Sequence, residues 1–170
     1  MVATDKFVLS VLFIQSVLCF SFYNAIDPNL YLVKVTDPDA ICLDGSPAAY
    51  YISKDGDPTK ILLAFEGGGW CTGSDISGTL DDCLSRSKND LGSSNSYPDQ
   101  IRFDDGLLSA NEQNNFKNWT RVYLKYCDGS GHQGTKKNPV LYKGTKLYFR
   151  GHNGTVGKLN SLEKNNKLFS

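Results

Sequence analysis

The chain has 170 residues with 18 Lys and Arg against 18 Asp and Glu, 40% hydrophobic and 12% aromatic side chains, enough for one globular domain. Zero formal net charge leaves no basic face for a phosphate backbone, and the absence of charge runs or low-complexity tracts excludes nucleic-acid binding and disorder. Sixteen Gly and six Pro describe a loop-rich chain, while nine Tyr and nine Phe supply a core, so a helical bundle is excluded as well.

Lys6 precedes an uncharged apolar stretch, residues 7–20, which is followed by small residues. That layout reads as a secretory signal over residues 1–21, cleaved after Cys19 or Ser21. As a membrane anchor the stretch would be short and is interrupted by Gln15, so no membrane association is expected once it is removed. The remaining residues, 22–170, form the expected mature domain, with Cys42, Cys71, Cys83 and Cys127 in an oxidising compartment. Four cysteines favour two disulfides in any of three pairings. No Cys-x-x-Cys pair is present, and His132 and His152 are not spaced as zinc ligands, so neither a metal nor a cofactor is expected. Asn118-Trp-Thr and Asn153-Gly-Thr are N-glycosylation sequons that suit a secreted, extracellular protein.

Residues 30–35, Leu-Tyr-Leu-Val-Lys-Val, read as a first strand closed by Asp37-Pro38-Asp39. Asp44-Gly45 is a turn signal and residues 49–52 a second strand, together an N-terminal hairpin. Residues 60–65, Lys-Ile-Leu-Leu-Ala-Phe, are a continuous apolar run, which predicts a strand in the middle of a sheet with both faces covered. Residues 79–87 predict a short helix carrying Cys83, and residues 106–118 a loop. Residues 119–127 alternate well and read as a strand broken by Asp128-Gly-Ser-Gly131. Residues 146–150 are the last predicted strand, and Val156, Leu159 and Leu162 have helical spacing in the tail. The fold class is therefore α/β.

The third strand runs into Glu66-Gly67-Gly68-Gly69-Trp70-Cys71. Glycines let a backbone turn sharply and bring N–H groups close to a ligand, which is how an oxyanion hole is built after an early strand. Read alone, the run fits a tight structural turn equally well. An ester hydrolase of this type also needs a nucleophile in Gly-x-Ser-x-Gly, and the sequence contains no such pentapeptide. Asp128-Gly-Ser130-Gly-His132 holds an acid, a serine and a histidine within five residues, but neighbours on one loop do not normally converge as a triad. It is read as a turn. His152 is read as a polar loop or helix-start residue, and Asp81-Asp82 and Asp104-Asp105 as solvated carboxylates.

Seven collinear segments carry a family resemblance: Cys42-Leu-Asp-Gly-Ser-Pro-Ala-Ala-Tyr-Tyr51, Phe65-Glu-Gly-Gly-Gly-Trp-Cys71, Cys83-Leu-Ser-Arg86, Gly106-Leu-Leu-Ser109, Trp119, Lys125-Tyr-Cys-Asp-Gly129 and Leu147-Tyr-Phe-Arg-Gly151. In order and wording they resemble the pectin acetylesterase / Notum family of secreted carboxylesterases. The resemblance implies part of an α/β-hydrolase-like fold, the early strands of its sheet with the N-terminal hairpin. It implies a carboxylic-ester hydrolase acting on acetylated pectin, another acylated polysaccharide or a related acyl ester. By position it implies that Gly68 and Gly69 give N–H groups to an oxyanion hole and Trp70 lines the acyl pocket. It also implies disulfides Cys71–Cys83 and Cys42–Cys127, each worth about 2–4 kcal/mol. The family's nucleophile elbow and its Asp and His follow later than anything here, so no catalytic triad residue is carried over and the chain alone is expected to be inactive. A secreted non-catalytic binding module derived from the same fold is the alternative, and an unrelated disulfide-rich secreted protein is the third reading.

Overall fold

The computed structural model describes residues 25–166, so the segment read as a signal, Cys19 included, lies outside the described residues. Nine elements follow in chain order: β1 (Asn29–Lys34), β2 (Ala49–Ile52), β3 (Asp57–Phe65), α1 (Ile76–Arg86), β4 (Gln100–Arg102), β5 (Trp119–Leu124), β6 (Val140–Tyr142), β7 (Thr145–Leu147) and α2 (Gly151–Asn166). Five strands form one sheet in the order β3-β5-β2-β1-β4, and β6 with β7 makes a separate ribbon. β3 and β5 are parallel, and the remaining pairs are antiparallel. The class is α/β with a mixed sheet.

The strands have two apolar faces because their side chains alternate. Tyr50, Ile52, Val122 and Leu124 point to one face, where Ile61, Leu63 and the α2 residues Leu159 and Leu162 pack against them. Ala49 and Tyr51 point to the other, joined by Leu62, Ala64, Tyr97, Leu108 and Tyr123. α2 covers the first face and the long segment between α1 and β5 contributes to the second. α2 comes this close because Gly157 has no side chain: a Cβ there would lie 2.4 Å from the Cβ of Ala40.

β3 has both faces apolar, as predicted, but it is not central. Among the described residues it pairs only with β5 and lies at the sheet's edge. An apolar run reports what covers a strand's faces and carries no information about its lateral neighbours. The predicted strand 146–150 is also shorter than expected. Only Thr145–Leu147 pairs, with the unpredicted β6, after which Tyr148 N–H donates to the Leu43 carbonyl at 2.9 Å. α1 starts three residues earlier than predicted, where the Asp75 carboxylate accepts from Gly78 N–H at 2.7 Å and caps the helix.

Both disulfides form as the resemblance implies. Cys71–Cys83 ties the segment after β3 to α1, and Cys42–Cys127 ties the β1–β2 connection to the end of β5. Arg121 on β5 is fully buried and gives hydrogen bonds to the carbonyls of Leu108 (3.1 Å) and Asp27 (2.8 Å), joining the loop and the N-terminal segment to the sheet.

Candidate active site

The glycine run leaves the carboxyl end of β3, beside the carboxyl end of its parallel neighbour β5, which is where open α/β sheets place their ligands. Its first residue is held from four directions. Glu66 N–H donates to the Leu124 carbonyl (3.0 Å), and the Glu66 carbonyl accepts from His132 Nε2 (3.0 Å). The carboxylate pairs with the largely buried Lys125 ammonium through Oε1 and accepts from Tyr126 N–H through Oε2 (2.7 Å). Lys125 in turn lies 4.6 Å from the Tyr97 ring centre. At the other end, Cys71 N–H donates to the Gly129 carbonyl at 3.0 Å.

Between these two fixed points lie Gly67, Gly68, Gly69 and Trp70, and none of their four N–H groups has an acceptor among the described residues. All four residues are exposed, so these N–H groups are open to solvent and to an incoming acceptor. Here they border a cleft of about 150 Å³ walled by the bend itself, Trp70, Tyr126, Gly131 and His132. Glycine is required at two of the positions. A Cβ on Gly68 would stand 2.8 Å from Tyr126 Cδ1 and 2.9 Å from Leu91 Cδ2, and Gly69 has φ of +67°. Trp70 and Phe65 remain 65% and 52% exposed, so the cleft has an apolar, open rim. Larger hollows of about 310 Å³ at the 105–116 loop and about 490 Å³ beside Tyr97 are not walled by the bend.

The Asp128–His132 segment is a turn. Ser130 Oγ donates to Asp128 Oδ2 and accepts from Gly134 N–H (2.9 Å), while Ser130 N–H (3.0 Å) and His132 N–H (3.3 Å) also donate to the Asp128 carboxylate. His132, at φ +64°, directs Nε2 to the Glu66 carbonyl and packs against the rings of Phe65 and Tyr126. Ser130 and His132 therefore make no hydrogen bond to each other. His132 nonetheless reaches the cleft wall, and its visible work is to hold the base of the bend. His152 lies exposed in the first turn of α2, its N–H on the Gly134 carbonyl at 3.0 Å.

Asp81 and Asp82 are not merely solvated: they sit on α1, each with a partner. Asp82 accepts from Thr72 N–H (2.9 Å) and Arg86 Nε (3.2 Å), and those bonds hold its carboxyl below the usual carboxylate range. Asp81 binds Lys143 at 2.5 Å, which lowers it likewise. Arg86 continues from Asp82 to the bend, its Nη1 donating to the Gly68 carbonyl at 2.8 Å. Of the sequon asparagines, Asn118 is exposed before β5 and Asn153 is half-buried in α2.

Sequence reasoning assigned no role to Glu66, Lys125, Arg86 or Lys158. Lys158 on α2 is buried and donates from Nζ to the Lys125 carbonyl at 2.7 Å. The one available signal was a glutamate closing an apolar strand directly before the glycines.

The Pectinacetylesterase family profile matches residues 22–167. Pectin acetylesterase 5 of Arabidopsis thaliana is 37% identical over 116 residues, 66% of this chain and 25% of that protein. Pectin acetylesterase 7 of the same plant is 35% identical over 130 residues, 73% of this chain and 30% of that protein. The human palmitoleoyl-protein carboxylesterase NOTUM is 27% identical over 128 residues, 72% of this chain and 25% of that protein. The crystal structure of the Wnt deacylase Notum from Drosophila superposes with a TM-score of 0.69 at 24% identity, over 81% of this chain and 39% of that one. The superposition identifies the fold as part of an α/β-hydrolase-like domain. The chain spans between a quarter and a third of the length of these curated relatives.

Proposed function

The chain belongs to the pectin acetylesterase family, and from that premise we propose that it carries the oxyanion-stabilising part of a carboxylic-ester hydrolase. The observation that carries this reading is the row of four unpaired N–H groups, Gly67 to Trp70, bordering a cleft at the carboxyl end of a parallel strand pair. Donors that are already aimed stabilise charge as it develops on an ester oxygen without the cost of reorganising at the moment of reaction. Gly68 and Gly69 give those N–H groups, and Trp70 with Tyr126 walls the acyl group. Two disulfides and an exposed sequon at Asn118 support secretion.

Among the described residues no serine, threonine or cysteine walls the cleft, and the Ser130 hydroxyl is committed to Asp128 and Gly134. The 170-residue chain by itself therefore receives the ester carbonyl without cleaving it. The same fact favours a second reading, a secreted module that binds acylated polysaccharide; tight binding of acetylated polygalacturonate without turnover would select it.

Methylphosphonate, a tetrahedral anion shaped like the reacting centre, tests the site. Titrated against the ¹⁵N-labelled chain, it should move the Gly68 and Gly69 amide resonances saturably and leave Cys71, whose N–H is already paired, near its starting position. Four unresponsive amides from Gly67 to Trp70 would refute the reading.

A further inference from the structure

We propose that Arg86 is the positioning residue of the oxyanion site, acting through the peptide bond between Gly68 and Gly69. This rests on the functional reading above and deepens it. The carbonyl of Gly68 and the N–H of Gly69 belong to one planar trans peptide, so they point in opposite directions. Arg86 Nη1 grips the carbonyl at 2.8 Å and is not part of the cleft wall. Fixing the carbonyl outward fixes the Gly69 N–H toward the cleft. A bend with three glycines in sequence has little intrinsic preference for one peptide orientation, so an external clamp is needed.

The clamp is itself anchored. Arg86 Nε binds Asp82, whose Oδ2 also accepts from Thr72 N–H, and the Cys71–Cys83 disulfide holds the same stretch to α1. The Arg86 side chain is 17% exposed, so most of its length is fixed by packing even though its contact with the exposed Gly68 carbonyl lies at the surface. A cation on the carbonyl end also polarises the peptide, which makes the Gly69 N–H a stronger donor to an anion on the far side. Arg86 thus contributes both direction and charge to a donor it does not itself supply.

The test uses methylphosphonate titration of wild type, Arg86→Gln, Arg86→Lys and Asp82→Asn, followed at the Gly69 amide and at the Gly68 carbonyl ¹³C. Arg86→Gln should weaken the Gly69 response about 10-fold or more, as expected for losing one charge-assisted hydrogen bond. The Gly68 carbonyl resonance should move upfield in the same variant. Arg86→Lys should recover part of the affinity, since one donor can still reach the carbonyl. Asp82→Asn leaves the Gly68 contact in place and should cost about 2- to 4-fold, which serves if Arg86→Gln fails to fold. Wild-type affinity at Gly69 in Arg86→Gln, or in Asp82→Asn where the former is unfolded, overturns the clamp. Unresponsive amides in the wild type overturn instead the functional reading beneath it.

Discussion

Removing each disulfide in turn should have opposite effects on stability and on the cleft. Cys42–Cys127 closes a separation of 85 residues and Cys71–Cys83 one of 12. In the loop-entropy description, opening the long loop costs about 4.6 kcal/mol and opening the short one about 2.8 kcal/mol at 25 °C. All four cysteines are buried, so the small voids left by Cys→Ala are similar for both pairs and cancel in the comparison. The double variant Cys42→Ala/Cys127→Ala should thus be the weaker fold by roughly 1.7 kcal/mol in urea denaturation. Its cleft amides should still answer methylphosphonate in the absence of urea. Cys71→Ala/Cys83→Ala should be the more stable of the two variants and yet lose much of the Gly69 response. The reason is that this bridge ends at the residue that closes the bend. A larger stability loss from the short loop would refute loop closure as the source of the stabilisation, and an unchanged Gly69 response would refute the bridge's part in the site.

Substitutions in the bend should separate crowding from openness: Gly68→Ala, blocked by Tyr126 and Leu91, should cost about 1–3 kcal/mol. Gly67→Ala meets nothing within 4 Å and should stay within about 0.5 kcal/mol of wild type; equal costs would show that Tyr126 and Leu91 do not confine the bend. Burial lowers the Lys158 ammonium to about 8 from its ordinary 10.5. Between pH 8 and 10 the unfolded chain therefore holds a proton that the folded chain has released, so stability rises with pH across that window. Burial raises the Tyr51 phenol to about 12 and Tyr97 still further, so their opposing contribution starts only near pH 10, where unfolded tyrosines ionise. Urea midpoints of Lys158→Met should lack the rise, and parallel slopes in the two proteins would contradict it. In an assay with 4-nitrophenyl acetate the chain should show no hydrolysis above a Ser130→Ala control, whereas a rate abolished in that control would make the Asp128–His132 turn catalytic.

Much of the fold was legible where side-chain period decides it. β1, β2 and β5 alternate or carry aromatic and branched residues, and the tail helix shows in the spacing of Leu159 and Leu162, both of which pack on the sheet. β3 was legible as a strand but not as an edge, because strand order depends on partners far away in sequence. β4 and β6 have three residues each, too few for a period to register. The cysteine pairing could not be read from the even count, which left three possibilities; it followed from the family resemblance. At the site, the glycines announced the bend, while its clamps did not announce themselves. Arg86, Lys125 and Lys158 look like surface charges in the sequence, and only the placement of α1, the end of β5 and α2 in the folded chain brings them onto the Gly68 carbonyl, the Glu66 carboxylate and the Lys125 carbonyl.

On the proposed reading the free amides meet negative charge, and selectivity for a tetrahedral anion over a neutral planar carbonyl compound is the sharpest test of it. Methylphosphonate and neutral acetamide, each titrated at the Gly68 and Gly69 amides at pH 7, should differ clearly, with the anion binding at least tenfold more tightly. Equal affinities, or an anion that shifts only surface lysines, would contradict the account.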